Sequence, residues 1–389
     1  MKISNVAYII CLFILISCNR DPNQIDNCSI PISSVVSVTR LVKTTDVSFE
    51  LDSIQYVGDV TPSQLVDKFN ILAFLDYNSN RITLYNATGG KKITTIYIPN
   101  KLHDRKIKAF KIINFDSILL YSPKGKRLVL MDSGGVIKWQ YTFKETINPS
   151  FTNLPPPSPF IGNSSPLDVH GDTITCTGFL VGEHEKLSHD KRFIRIQLMM
   201  KTNQVQYDLT YPEIYRKPNW GGDHFRTVFS HFDNTHEELL ISTPADHYIT
   251  IVSKKNTVRS VFMGPKNPIC IESYKYPKSE RDKSNIKNIT VLFFTNPSYK
   301  NILYDKYRNL YYRILEKPLP LSALNSKGAG VKSIKLLIYN QDFKYLGETD
   351  LPDGLSSENF IITPQSILFL NKQNTNENLA LFSAYTIDR

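Results

Sequence analysis

Residues 71–98 run Ile71-Leu72-Ala73-Phe74-Leu75-Asp76-Tyr77-Asn78-Ser79-Asn80-Arg81-Ile82-Thr83-Leu84-Tyr85-Asn86-Ala87-Thr88-Gly89-Gly90-Lys91-Lys92-Ile93-Thr94-Thr95-Ile96-Tyr97-Ile98. Three β-prone runs stand in this stretch. The first, Ile71 to Leu75, is continuously apolar. The second and third, Arg81 to Tyr85 and Ile93 to Ile98, flank a turn of Asn86 to Lys92. β-Branched and aromatic side chains favour the pleated chain, and Asn and Gly supply the dihedrals of a tight reversal. Short apolar runs bounded by such turns read as strands.

The pattern returns along the chain. Further hairpins are expected at Arg127 to Met131 with Val136 to Phe143, Phe193 to Met200 with Gln204 to Tyr211, Tyr248 to Val252 with Thr257 to Met263, and Ile334 to Tyr339 with Lys344 to Leu351. Each follows a continuous apolar run: Ser117 to Tyr121, Ile174 to Leu180, Leu239 to Ser242 and Leu310 to Leu315. Continuous apolarity suits a strand covered on both faces, so these runs read as the inner strands of repeated blades. A β unit repeated in this way indicates an all-β fold, a β-propeller. The last unit is incomplete. Ile367 to Leu370 and Leu379 to Tyr385 are followed by the end of the chain, and the alternating Val47-Ser48-Phe49-Glu50-Leu51 can supply the missing outer strand. Such closure removes the open edge between the termini. The expectation is a six-bladed propeller closed by an N-terminal strand. A seventh blade stays open in the proline-rich segment Lys144 to Asp168. Two β-sandwiches would need a mid-chain linker, and none is visible.

The N-terminus carries a different signal. Lys2 precedes an apolar run, Val6 to Ser17, too short to span a bilayer as a helix of about 20 residues. A charged start, a short apolar run and a small residue before the cut describe a signal peptide. Leu15-Ile16-Ser17-Cys18 fits a bacterial lipobox, in which the Cys18 thiol takes the diacylglycerol. Dual acylation gives stable anchoring where one chain does not. The expected layout is a signal peptide over residues 1–17, a flexible tether over 18–33 from lipidated Cys18, and one propeller domain over 34–389. Asn19, rather than Asp, after the lipid cysteine is compatible with sorting to an outer membrane.

Composition narrows the function classes. Of the five cysteines, Cys11 leaves with the signal and Cys18 is lipidated. Cys28, Cys176 and Cys270 remain, which allows one disulfide at most and no cysteine metal cage. The net charge is +10, but the basic clusters sit beside turn residues and read as solvated surface. An exported protein seldom meets nucleic acid, so none is expected as a partner. The lipid bilayer is the expected partner, joined by a glycan, peptide or envelope protein.

Catalytic motifs are scarce. Gly-x-Ser-x-Gly is missing. His184 and His189 stand five apart, about 140° from each other on a helix, whereas a zinc pair needs i and i+4. No metal, cofactor or catalytic residue is nominated. Two segments offer ligand-binding candidates instead. In Tyr211 to Arg226, Trp220 with Asp223, His224 and Arg226 could stack on and hydrogen-bond a sugar or peptide; the same Trp could equally plug the space between blades. In Tyr304 to Arg313, alternation puts Tyr311 and Arg313 on one face and Tyr312 on the other. Arg313 then points into the central channel or pairs with an acidic neighbour inside the blade.

Asn219-Trp220-Gly221-Gly222 together with Tyr304-Asp305-Lys306-Tyr307-Arg308-Asn309-Leu310-Tyr311-Tyr312-Arg313 resembles the Bacteroidetes lipoproteins catalogued as domain of unknown function 4221. The resemblance implies an envelope propeller and supplies no activity. The functional expectation is a membrane-anchored, non-enzymatic binding or scaffolding propeller. The rival is a lactonase- or lyase-like enzyme with a metal in the central channel, and the inner strands named above are poor in the carboxylates it requires.

Overall fold

In a computed structural model the repeated hairpins fold as the outer halves of six antiparallel sheets set in a ring. The structure describes residues 26–32, 39–52, 57–76, 78–100, 102, 106–144, 156–179, 192–216, 220, 223–274, 283–325, 328–329 and 331–388. Blade 1 comprises Ser63–Val66, Ile71–Asp76, Arg81–Asn86 and Lys92–Tyr97, and blade 2 comprises Ala109–Asn114, Ser117–Ser122, Arg127–Met131 and Ile137–Thr142. Blade 4 runs from Phe229–Asp233 to Val258–Phe262 and blade 5 from Ser298–Asp305 to Tyr345–Asp350.

Blade 6 holds Leu355–Ile362, Ile367–Asn371 and Leu379–Asp388, and Arg40–Glu50 pairs with the last of these as its outermost strand. The N-terminal closure expected from the alternation at Val47 to Leu51 is therefore present. Phe49 carries it. This buried ring meets Phe74, Tyr85 and Phe382 edge-on at 5.6, 5.7 and 5.6 Å, welding blade 6 to blade 1. Close backbone approach is also needed. A Cβ on Gly90 would fall 2.0 Å from the Ser48 carbonyl oxygen, and Gly90 has a φ of +67°.

Three expectations change. The continuous apolar runs are the second strands of the blades, not the innermost. A second strand has a neighbour on each side and a blade packed on each face, so every position is buried, as in Ile71–Asp76. The first strand borders the axis and is mixed in character. The segment with the possible seventh blade instead supplies a split first strand of blade 3: Ser158–Pro159 and Asp168–His170 both pair with Thr173–Phe179. The segment expected as a tether, residues 18–33, includes a strand. Asp26–Cys28 pairs with Cys270–Glu272, and Cys28 is disulfide-bonded to Cys270, leaving Cys176 as a buried free thiol. Cys18 and the His184/His189 pair lie outside the described residues.

Buried side chains form a ring of cores, each between neighbouring blades. One joins blades 1 and 2 and another blades 2 and 3. A larger one spans blades 3 to 5, and two more join blades 5 and 6 and blades 6 and 1. Up-and-down order also assigns the loops. First-to-second and third-to-fourth turns lie on one face, the turn face. Second-to-third turns and blade-to-blade connections lie on the other, the crossover face.

Candidate axial binding site

The nominated surface residues mostly turn inward. Trp220 is 0 % exposed, packs on Tyr215 and Phe225 at 5.7 and 6.3 Å, and donates its indole N–H to the Ile214 carbonyl at 3.1 Å. It is the plug between blades 3 and 4. Arg226 is buried, and its carbonyl accepts the Tyr211 hydroxyl at 2.5 Å. Asp223 opens the one-turn helix Asp223–Arg226, and its side chain is outside the described residues. His224 is exposed, stacked on Phe293 at 4.3 Å.

Tyr311 and Arg313 do share a face, the one against blade 4, and both are buried there. Tyr311 is buried, stacks on Phe343 at 4.4 Å and donates its hydroxyl to Asp233 Oδ2 at 2.9 Å. Arg313 is fully buried over the Tyr299 ring at 3.7 Å. Its guanidinium donates to Ser242 Oγ at 3.1 and 3.0 Å and to the carbonyls of Asp246, His247 and Met263 at 2.7, 3.0 and 3.2 Å. The expected acidic partner within its own blade is replaced by carbonyls and a hydroxyl of blade 4, which satisfy all five donors. Ala245 to Tyr248 forms a tight turn, with the Tyr248 N–H donating to Asp246 Oδ1 at 2.9 Å.

The axis holds what the surface lacks. Lys111 from blade 2, Asp168 from blade 3 and His231 from blade 4 lie on first strands. Blades 2 and 4 do not touch in a six-membered ring, yet the Lys111 charge acts on His231 and on Asp168. Burial pushes the Lys111 ammonium below its usual range against the pull of Asp168, and raises the Asp168 carboxyl against Lys111 and His170. Burial, with Lys111 adding to it and Asp233 opposing, drives His231 down to about 4. Lys111 and His231 nonetheless keep partial accessibility. Among the described residues the Lys111 and His231 side chains make no hydrogen bond, and the buried Asp168 Oδ2 accepts none, with His170 Nε2 3.3 Å away.

The opposite wall is neutralised internally. Lys300 of blade 5 lies 3.1 Å from Glu316 and 2.9 Å from Glu358 of blade 6. Burial opposes its charge, but the two carboxylates overcome that and raise its pKa. Lys332, pushed down to about 8 by burial, donates to Ser298 Oγ at 2.7 Å and to the Phe293 carbonyl at 3.1 Å. The crossover mouth is bridged. Asn163, in the loop that splits the first strand of blade 3, accepts the Ser63 N–H at 2.8 Å and donates to the Thr61 carbonyl at 2.8 Å, reaching blade 1. The adjacent Ser164 carbonyl accepts the Ser230 N–H of blade 4 at 3.1 Å. On the turn face, Lys306 and Tyr307 of blade 5 bind Asp67 of blade 1.

A family model described as domain of unknown function DUF4221 matches residues 105–350. The chain belongs to the DUF4221 family. A solved DUF4221 member from Bacteroides vulgatus superposes with a TM-score of 0.73 at 18 % identity, covering 91 % of this chain and 99 % of its own. A protein from Bacteroides fragilis superposes with a TM-score of 0.52 at 9 % identity, over 92 % and 98 % of the two chains. These likenesses establish the propeller and nothing of its chemistry. A comparison with curated proteins found no match.

Sequence reasoning missed the axial residues of this DUF4221 chain because it took the second strands for the inner ones. A signal was available. Lys111 and His231 are each ionisable within a short run that is otherwise mostly apolar, Ala109-Phe110-Lys111-Ile112-Ile113 and Phe229-Ser230-His231-Phe232; Asp168-Val169-His170 gives no such signal. Among the described residues no group of three or more His, Cys, Asp or Glu side chains is placed to hold a metal. The trio offers a cation, a hydrogen-bond acceptor and a neutral imidazole, which is a recognition set for a small polar molecule.

Proposed function

We propose that this DUF4221 propeller is a lipid-anchored protein of the cell envelope, held in the outer membrane, that binds a ligand in its axial channel without transforming it. The carrying observation is the asymmetry of the channel wall. Charges on blades 5 and 6 satisfy one another, whereas the Lys111 and His231 side chains make no hydrogen bond among the described residues and Asp168 Oδ2 has only the His170 ring at 3.3 Å. Unpaired polar groups facing confined space are costly unless something pairs with them. The channel suits a small molecule, or the end of a glycan or peptide, better than a folded partner.

Export is supported by the lipobox at Leu15 to Cys18 and by the Cys28–Cys270 disulfide, a bond of oxidising compartments. The latch adds an orientation. Asn27 donates to the Ala245 carbonyl at 2.6 Å, and its own carbonyl accepts His247 Nε2 at 2.8 Å, both in the second-to-third turn of blade 4. The anchor therefore leaves from the crossover face. Asp26 follows Cys18 by only eight residues, so that face is held towards the bilayer.

Native mass spectrometry of the detergent-solubilised chain from its own envelope tests the binding claim. A bound small mass in the wild type, lost in Lys111→Gln, is expected. No bound mass in either, or an equal one in both, contradicts it. For the anchor, Cys18→Ala abolishes palmitate labelling; equal labelling refutes lipidation.

A catalytic reading would rest on the His231 imidazole, whose charged form burial disfavours. A base whose pKa lies near 4 is a weak proton acceptor at neutral pH, which favours recognition. Turnover of the released mass by the wild type, absent in His231→Gln, would favour catalysis.

A further inference from the structure

We propose that the crossover end of blade 2 docks on the phosphate-bearing headgroups of an anionic bilayer, so that the crossover face lies flat on the membrane. This rests on the anchor leaving from that face and adds a second, electrostatic contact.

The register of blade 2 gathers its cations at one end. Ser122 and Thr142 both pair with Arg127, and Ala109 pairs with Tyr121. The Lys108 N–H donates to the Tyr121 carbonyl at 2.9 Å, and the Phe143 N–H to the Lys126 carbonyl at 2.8 Å. Lys108, Lys124, Lys126, Arg127 and Lys144 therefore share the crossover end of the blade, with Lys106 in the connection from blade 1. Lys106, Lys108, Lys124 and Lys144 are exposed. In sequence, residues 99–108, 122–127 and 142–147 hold eight Lys and Arg against two Asp and Glu, which accounts for most of the chain's net +10. The opposite end of the blade has the other sign. Residues 113–117 and 131–137 carry Asp116 and Asp132 and no Lys or Arg. Charge placed for solubility alone is mixed in sign, whereas this charge is sorted by face.

Arg127 adds a defined seat. It lines an open cleft of about 560 Å³ with Leu102, Ile137 and Gln140, and its buried Nε has no hydrogen-bond partner among the described residues. A guanidinium donor beside a cationic rim is matched by a phosphate oxygen. The anchor segment joins the propeller at Asp26–Cys28, on the connection from blade 4 to blade 5 and across the ring from blade 2. One tether leaves the face free to tilt about that point. Attraction at the far rim holds it parallel to the bilayer, each Lys or Arg near an anionic leaflet strengthening attachment about fivefold. At physiological salt that attraction reaches about 8 Å, so it acts only on an apposed face.

The test places the purified full chain on vesicles of phosphatidylcholine, alone or mixed with phosphatidylglycerol. Lysines are acetylated with a water-soluble reagent and read by mass spectrometry. Lys106, Lys124 and Lys144 are expected to react several-fold more slowly on the mixed vesicles, while Lys255, in the third-to-fourth turn of blade 4, reacts equally on both. High salt should remove the difference. Lys124→Glu/Lys144→Glu, at two exposed positions, should abolish the protection of Lys106. Equal reactivity on the two vesicles, or protection that persists in that double variant, overturns the proposal. Titration with inorganic phosphate separates the sources of the anion. A saturable rise in melting temperature that is lost in Arg127→Gln, without protection on vesicles, assigns the cleft to a free anion and also overturns docking. Flotation and protection with mixed vesicles but no flotation with phosphatidylcholine keeps the docking and removes the anchor. Flotation with neither removes both.

Discussion

Replacing Arg313 by Met removes a guanidinium while keeping most of the apolar stem. In the wild type all five N–H donors are used between blades 5 and 4, and the group sits over Tyr299. The substitution leaves acceptors behind. The His247 carbonyl keeps the Met263 N–H at 2.9 Å, so it is not orphaned. Ser242 Oγ and the carbonyls of Asp246 and Met263 each lose the guanidinium. A buried acceptor left without its partner costs about 1–3 kcal/mol, and loss of the cation–π contact adds about 1 kcal/mol. Relief of guanidinium desolvation offsets part of this, because burial already disfavours its charged form. The net expectation is a loss of about 4 kcal/mol. For a domain of roughly 350 residues the unfolding entropy is about 0.7 kcal/mol per degree, so the melting temperature falls by about 5–6 °C. Differential scanning calorimetry measures it. Arg313→Lys should fall nearly as far, since one ammonium cannot reach acceptors on both sides of the fork. A melting temperature within about 1 °C of wild type for Arg313→Met would refute the keystone role and return Arg313 to the channel as a ligand contact.

Trp220→Ala should cost about 3–5 kcal/mol, read by chemical denaturation, because it empties a buried aromatic cluster; an unchanged midpoint would reinstate Trp220 as a surface contact. Cys28→Ser should lower stability by about 2–5 kcal/mol, since the bond closes a loop across 242 residues, and should expose residues near Asn27 to proteolysis. His247 gives a pH dependence. Burial holds it down to about 4, with Nδ1 accepting the Tyr299 hydroxyl at 2.7 Å. The unfolded chain binds the proton more tightly, so this contribution is complete above about pH 6.5 and is lost as pH falls towards 4. A thermal-melt series over that window should show a loss on the order of 3 kcal/mol, reduced in His247→Gln.

Much of the fold is legible in the chain because blades are built from local hairpins. Asn86 to Lys92 and Asp132 to Gly135 are turns whose residue types dictate reversal, and the flanking runs pair as their apolarity suggests. Closure was legible too, since Val47 to Leu51 alternates and no neighbour in sequence can take it. The first strands were not. They are short, and the first strand of blade 3 is interrupted between Pro159 and Asp168. Their pairing with long apolar second strands is visible only in three dimensions. The site suffered for the same reason. Trp220 attracts notice as a rare, bulky residue beside glycines, but those properties serve packing equally well. Lys111 and His231 are ordinary residue types whose importance comes from lying on the first strands of blades that never touch. The N-terminal latch escaped because Cys28 and Cys270 are far apart in sequence, and nothing local says they meet.

The decisive measurement is a crystal structure of the chain purified with whatever it carries from its own envelope. The account predicts electron density for a small molecule between Lys111, Asp168 and His231, and no ligand beside Trp220. A Lys111 side chain paired directly with Asp168 across an otherwise empty axis, or ligand density confined to the outer surface of the blades, would contradict it.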